Sequence, residues 1–194
     1  MPLNNYPMPR ETPRFRTNVE PGYPWGSFLR EIDEKLTEPI QLPCLGGFVI
    51  TQYYGLGRET SDIGCLVLLG SKPIDFAGEG SDLHKKYRVY LQYVGIATPP
   101  CDYADRLQRM FPEARWKHLK LFALDATDLA LSKLERNLDR DREDFQLLFL
   151  AGLIDLAVLE RRYHEELRPH LLSKLDWHDK TLSLWLGIAK SIQG

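Results

Sequence analysis

The sequence has no stretch that is both long and apolar enough to cross a bilayer. Its most apolar run, Phe145 to Leu159, carries Asp155 and falls short of the roughly 20 residues a span requires. The N-terminus lacks the apolar core of a signal peptide. There are 3 cysteines, Cys44, Cys65 and Cys101, odd in number and widely spaced, which excludes a disulfide framework or a zinc finger. These features together predict a protein of the reducing cytoplasm without a membrane partner. Neither sign of charge dominates: 25 Lys and Arg oppose 27 Asp and Glu, for a net charge of -2. No general basic field is therefore available for non-specific nucleic-acid binding, which leaves a local basic patch as the one electrostatic route to it. No internal repeat is present, and His164, His170 and His178 lack the spacing of helical zinc ligands.

What is present suffices for one domain with a real core: 194 residues, 43% of them hydrophobic. Residues 1–24 hold 6 of the 13 prolines and read as an extended arm, a solvated tail despite Arg10, Arg14 and Arg16. Residues 25–125 read as an α/β core and residues 126–194 as a helical region. Ser27 is placed to cap a helix from Phe28 to about Thr37, whose Phe28, Leu29, Ile32 and Leu36 share a face. Ile40 to Leu45 follows as a strand, irregular or at an edge because it contains Pro43. Ile63 to Leu69 is a continuous apolar run, the mark of a central strand. Ile74 to His84 reads as a short helix and turn, Val89 to Ala97 as the neighbouring strand, Tyr103 to Phe111 as a short helix, and Leu119 to Leu124 as another strand. Asp125, with Asp128 three residues on, caps a helix from Ala126 to about Leu138 that turns Leu131, Leu134 and Leu138 inward. Phe145 to Leu159, Arg161 to about Leu175, and Lys180 to Ile192 complete the helices, with Trp177 and Trp185 read as core.

Two stretches carry chemistry. The first runs from Leu45 to Leu69: a Gly46-Gly47 turn, a short helix over Phe48 to Tyr54, the loop Gly55-Leu56-Gly57, then Arg58-Glu59-Thr60-Ser61-Asp62-Ile63-Gly64. Glycines allow positive φ and close approach of a phosphate to backbone amides. Asp62 stands where the strand emerges. Residues i and i+2 on a strand face the same way, so acids at 62 and 64 would jointly hold magnesium, with a third from the neighbouring strand. Position 64 is glycine, and the neighbouring strand offers Tyr90, Gln92 and Tyr93. Cys65 points to the other face and is a poor magnesium ligand. Asp75, Glu79 and Asp82 lie nearby in sequence.

The second stretch is Lys133-Leu-Glu-Arg136-Asn-Leu-Asp-Arg140-Asp141-Arg-Glu-Asp144. On a continuous helix, positions 133, 136, 140 and 144 share one polar face. If the helix breaks near residues 139–141, a junction gathers them instead. They are then either a lysine and arginines placed for triphosphate with acids that orient them, or a solvated face whose ion pairs contribute little each.

The first stretch resembles the nucleotidyltransferase superfamily. The second, from Asp128 to Asp144, resembles the paired later motifs of the abortive-infection, AbiEii-type toxin branch. Gly78 to Val94 resembles DUF6036, a small family of unknown function in that superfamily. The resemblance spans roughly Cys44 to Phe149. It implies an α+β fold, a small mixed β-sheet with flanking helices followed by a helical C-terminal region. It also implies magnesium-dependent binding of a nucleoside triphosphate, with transfer of a nucleotide to an RNA or protein acceptor in a toxin–antitoxin or phage-defence setting. Position by position, it assigns Gly46, Gly47, Arg58, Thr60, Lys133, Arg136 and Arg140 to the nucleotide, Asp62 to the metal, and Asp62, Asp141 and Asp144 to catalysis. Three readings stay open: a nucleotide-binding protein with slow or no turnover, an active enzyme whose missing ligand comes from Asp75, Glu79 or Asp141, and a scaffold that pairs with an antitoxin or other protein.

Overall fold

In the computed structural model, residues 19–57, 59–66, 74–95 and 97–193 are described. Arg58, the end of the Ile63–Leu69 run and residues 1–18 of the proline-rich arm lie outside them. Five strands form one mixed sheet in the order β3-β2-β1-β5-β4: β1 (Ile40–Leu45), β2 (Asp62–Cys65), β3 (Tyr90–Tyr93), β4 (Gln108–Arg109) and β5 (Leu119–Ala123). β1 runs antiparallel to β2 and parallel to β5, β2 is parallel to β3, and β4 is antiparallel to β5. This is the expected α+β class.

Pro43 does not put β1 at an edge, as the sequence suggests; β1 is the middle strand. The ladder to β5 runs straight through Pro43, which pairs with Phe122. Toward β2, the Pro43 carbonyl accepts the Leu66 N–H at 2.9 Å, but proline has no N–H to return. The sheet absorbs the proline by giving up one bond.

One face of the sheet is apolar. Leu42, Cys44, Ile63, Cys65, Leu91, Leu121 and Ala123 are buried there, and α1 (Trp25–Lys35) lies against β5. A hydrogen bond with Cys44, the partner of Cys65 across β1 and β2, and burial push the Cys65 thiol upward, and both remain free thiols. The helix begins at Trp25 after Pro24, so Ser27 lies inside it rather than capping it. Asp33 on α1 is nearly buried and accepts the N–H groups of Lys117, His118 and Leu119 at 2.8, 2.6 and 2.7 Å. Burial alone would raise its carboxyl; the three backbone donors outweigh this and hold it low.

The other face carries Asp62, Gly64, Tyr90 and Gln92, with Gln92 exposed. The helix expected over Phe48 to Tyr54 is a π-type turn at Val49–Tyr53. The Tyr103–Phe111 segment is a 3-10 turn (Tyr103–Arg106) and β4, not one helix. Between them α2 (Asp82–Tyr87) is capped by Ser81.

The helical region breaks more often than apolar periodicity indicates. Asp125 caps α3 (Ala126–Leu131) as expected, accepting the Asp128 N–H, but α3 stops well before Leu138, which is exposed. α4 (Asp139–Leu150) ends near Gly152, whose φ is 73°. Asp155 then caps a new helix, α5 (Leu156–Arg162), so Phe145–Leu159 is two helices. A π-turn and a 3-10 turn connect to α6 (Leu175–Gln193). Trp185 is core, stacked obliquely on Phe145, whereas Trp177 is exposed and donates to the Glu135 carbonyl at 2.8 Å. Among the described residues no helix is long and apolar enough to cross a membrane.

Candidate functional site

The end of β1 and the start of β2 lie side by side because those strands are antiparallel. Gly46 follows β1 with φ 78°, a conformation costly for residues with a Cβ. Gly47 is under a different constraint: a Cβ there would meet Cβ and Oγ1 of Thr60, both at 3.1 Å. Thr60 therefore occupies the space a side chain at 47 would use. Its hydroxyl donates to Asp62 Oδ1 at 2.9 Å, fixing the carboxylate that heads β2.

Gly64 is equally determined by its neighbours. It pairs with Leu45 on one side and Gln92 on the other. A Cβ would lie 3.1 Å from the Leu45 carbonyl oxygen and 3.3 Å from Val94 Cγ2. The room of a second acid is filled by backbone and an apolar side chain.

The second stretch is a junction, as one of the two sequence alternatives has it. α3 ends, Asn137 takes φ 46°, and α4 starts at Asp139. The turn brings Lys133 Nζ to 2.6 Å from Asp144 Oδ2 and 3.4 Å from Asp141 Oδ1. Arg136 grips Asp141 with Nε at 2.8 Å and Nη2 at 2.5 Å, and the Leu138 N–H donates to Asp141 Oδ2 at 3.0 Å. Lys133, Asp141 and Asp144 are buried, Asp141 completely. Four donor atoms therefore converge on the Asp141 carboxylate, which uses its acceptor capacity. Burial would raise this carboxyl; Arg136, Lys133 and the Leu138 N–H hold it below the usual range. Arg140 is exposed on the first turn of α4, outside this cluster.

The two stretches act on one another electrostatically. The Arg136 guanidinium is held up first by its hydrogen bond to Asp141, against burial, and then by the charges of Asp141, Asp144 and Asp62. Among the described residues, Lys133 and Arg136 are paired with Asp141 and Asp144, and Arg136 also feels the charge of Asp62. Asp75 acts on Tyr93 at the far end of β3, while Glu79 and Asp62 both act on Tyr90. Among the described residues no group of three or more His, Cys, Asp or Glu side chains is arranged to hold a metal ion. Asp62 heads its face of the sheet without an acid beside it at position 64 or 92. The residues present do not fit a paired-carboxylate, two-metal site.

A second buried ion network went unnoticed in the sequence. Asp128 is fully buried and accepts Arg106 Nε at 2.8 Å, Arg106 Nη2 at 3.1 Å and Arg162 Nη1 at 3.0 Å. Arg106 also pairs with Glu166 at 2.6 Å, and Arg162 with Asp125 at 2.7 Å. It fastens α3, α5 and the 3-10 turn before β4 together. Its members are scattered between residues 106 and 166, so no local pattern marks them.

A glycine turn leading to an aspartate at the head of the next strand, on a five-stranded mixed sheet backed by helices, is a nucleotidyltransferase-like arrangement. The chain belongs to the family described as nucleotidyltransferase of unknown function (DUF6036), whose model matches residues 29–191. The match reaches beyond the Cys44–Phe149 resemblance and takes in most of α1 and α6. Neither the curated proteins nor the solved structures yielded a match.

Proposed function

We propose that this chain binds a nucleoside triphosphate between the Gly46-Gly47 turn, Asp62 and Arg136. The observation that supports it is the position of Thr60, which packs beside Gly47 and donates to Asp62, and so ties the acid to the glycine turn; the Asp62 charge also reaches Arg136. In this reading Gly46, Gly47 and Thr60 receive phosphate oxygens together with Arg58 and Arg140, and Arg136 is the exposed edge of the junction. Lys133, Asp141 and Asp144 hold that edge in place.

In this reading the nucleotide enters with magnesium as the counter-ion of its phosphates, and Asp62 is the acid that joins it. Gly64 and Gln92 supply no further carboxylate, and a single aspartate does not make the metal site a transfer step needs. Transfer to an RNA or protein acceptor, in the toxin–antitoxin setting of the AbiEii-type branch, requires another source for that ligand. The filled space at Gly64 favours the second reading, a catalytically inactive nucleotidyltransferase-like protein that binds nucleotide or an antitoxin-like partner without turnover.

Thermal unfolding with each nucleoside triphosphate, with and without magnesium, tests the proposal. Ligand at 100 times its Kd stabilises the native state by about 2.7 kcal/mol. A magnesium-dependent rise in Tm is expected. Unchanged Tm with every triphosphate refutes nucleotide binding and leaves the partner-binding reading.

A further inference from the structure

We infer that Tyr90, braced by His84, is the platform on which the nucleobase of the bound nucleotide stacks. The inference rests on the triphosphate reading above and adds the recognition of the base. Tyr90 opens β3 and is the register partner of Asp62. Partners on adjacent strands leave the same side of the sheet about 5 Å apart, so the phenol stands beside the carboxylate. In the strand order β3-β2-β1, Asp62 lies between Tyr90 and the glycine turn that follows β1. Phosphates held at the turn therefore leave the Tyr90 side for the rest of the nucleotide.

The ring is built to stay in place. It packs on the His84 imidazole with centroids 4.8 Å apart and planes at 53°. His84 is itself fixed, since its Nδ1 accepts the Gly80 N–H at 2.9 Å and its backbone N–H donates to the capping Ser81 Oγ at 3.1 Å. An accepting Nδ1 puts the ring proton on Nε2. Tyr90 remains partly exposed, and burial, with Glu79 and Asp62 adding, pushes its phenol upward. The ring thus stays uncharged next to an anionic phosphate chain. A fixed, partly exposed aromatic is what base stacking needs, and it tolerates any base because every base has a π-face.

Isothermal titration of the full chain with the four nucleoside triphosphates and with inorganic tripolyphosphate, all with magnesium, tests this. Tyr90→Leu is expected to weaken nucleoside triphosphate binding by about 5- to 150-fold, the range of one aromatic–base stack. Tripolyphosphate affinity should be unchanged, and Tyr90→Phe should bind both ligands as wild type does. Equal weakening of both ligands, or of neither, overturns the platform. Wild-type chain that binds tripolyphosphate as tightly as nucleotide also overturns it, while leaving the triphosphate site standing; wild-type chain that binds neither removes both. If Tyr90→Leu does not fold, His84→Ala should give a several-fold selective loss. Photolabelling of wild type with 8-azido-ATP should mark the segment containing Tyr90, and a label confined to other segments rejects the assignment.

Discussion

Asp141 and Asp128 are both fully buried aspartates gripped by arginine, yet the fold shifts them in opposite directions. At Asp141 a backbone N–H, Lys133 and both Arg136 contacts overcome burial, and the carboxyl is held low. At Asp128 burial dominates, and Asp125, which shares Arg162 with it, adds repulsion; the carboxyl is held high although Arg106 and Arg162 pull the other way. Beyond burial, the two sites differ in their second acid. Asp144 has Lys133 interposed between it and Asp141, whereas Asp125 and Asp128 compete for one guanidinium. The junction beside the candidate site is therefore a satisfied ionic cluster, and the network under α5 carries residual repulsion.

The largest test of this contrast is Asp141→Ala. It strips Arg136 of its hydrogen-bonded partner and the α4 start of the acceptor for Leu138, and breaking one side of a buried pair costs about 3–5 kcal/mol. Urea denaturation should show a loss of that size. A loss below about 1 kcal/mol, the level of an exposed pair, would mean that the cluster is solvated and not a structural junction.

Next in size are the opposite pH slopes of the two asparagine variants. A carboxyl whose folded pKa is depressed contributes stability above its unfolded value of about 3.9, and that contribution is lost as pH falls through the folded value. The destabilisation caused by Asp141→Asn should thus grow as pH rises from acid to neutral. For Asp128 the sign reverses: a raised folded pKa favours the protonated native state, and stability is lost as pH rises through it. The destabilisation caused by Asp128→Asn should shrink over the same range. Parallel slopes in denaturation series between about pH 3 and 7 would erase the distinction.

Gly64→Asp extends the contrast to the sheet. The new side chain must displace Val94 and crowd the Leu45 carbonyl. Overpacking of this kind costs about 1–3 kcal/mol. Val94→Ala in the same chain should recover part of it by opening the contact at 3.3 Å. If Gly64→Asp alone is neutral in stability and raises magnesium affinity, the filled-space account of Gly64 is wrong.

These contacts also explain what the sequence could and could not reveal. The glycine turn, Asp62 and the Lys133–Asp144 junction were legible because each is local: spacing of a few residues sets turns, strand faces and helix junctions. The strand order around Asp62 was legible in part, since β3 was expected beside β2, but Pro43 misled. Its missing donor faces β2, where one lost bond is tolerated, rather than solvent. Helix lengths failed for a related reason. Apolar periodicity runs on through Leu131, Leu134 and Leu138, and again through Phe145 to Leu159, while Asn137, Gly152 and the Asp155 cap end the hydrogen bonding. The Asp33 clasp on residues 117–119 and the Asp128 network join residues dozens apart, and nothing in their own neighbourhoods distinguishes them from surface charges. The packing of Thr60 on Gly47 and of Val94 over Gly64 was likewise invisible until the strands were placed together. Yet it accounts for why positions 47 and 64 are glycine.

The smallest expected effect on stability falls at Asp62, and there the contrast between structural and ligand-facing charge is sharpest. Asp62 is partly exposed at the mouth of β2, where it accepts a hydrogen bond from one neutral hydroxyl, that of Thr60. Asparagine keeps the shape and an oxygen able to accept that hydrogen bond. Substitutions outside buried networks usually change stability by no more than about 0.5 kcal/mol, so Asp62→Asn should unfold close to wild type in the absence of ligand. It removes the carboxylate proposed to join a triphosphate-bound magnesium, so the magnesium-dependent part of the nucleotide-induced Tm rise should disappear. Asp141→Ala predicts the reverse pattern, a large loss of stability with whatever binding the weakened fold retains. If Asp62→Asn instead destabilises the free chain by several kcal/mol, its carboxylate belongs with Asp141 as a structural charge, and the binding face must be sought elsewhere on the sheet. A stable variant that keeps the full magnesium response would equally move the metal away from Asp62.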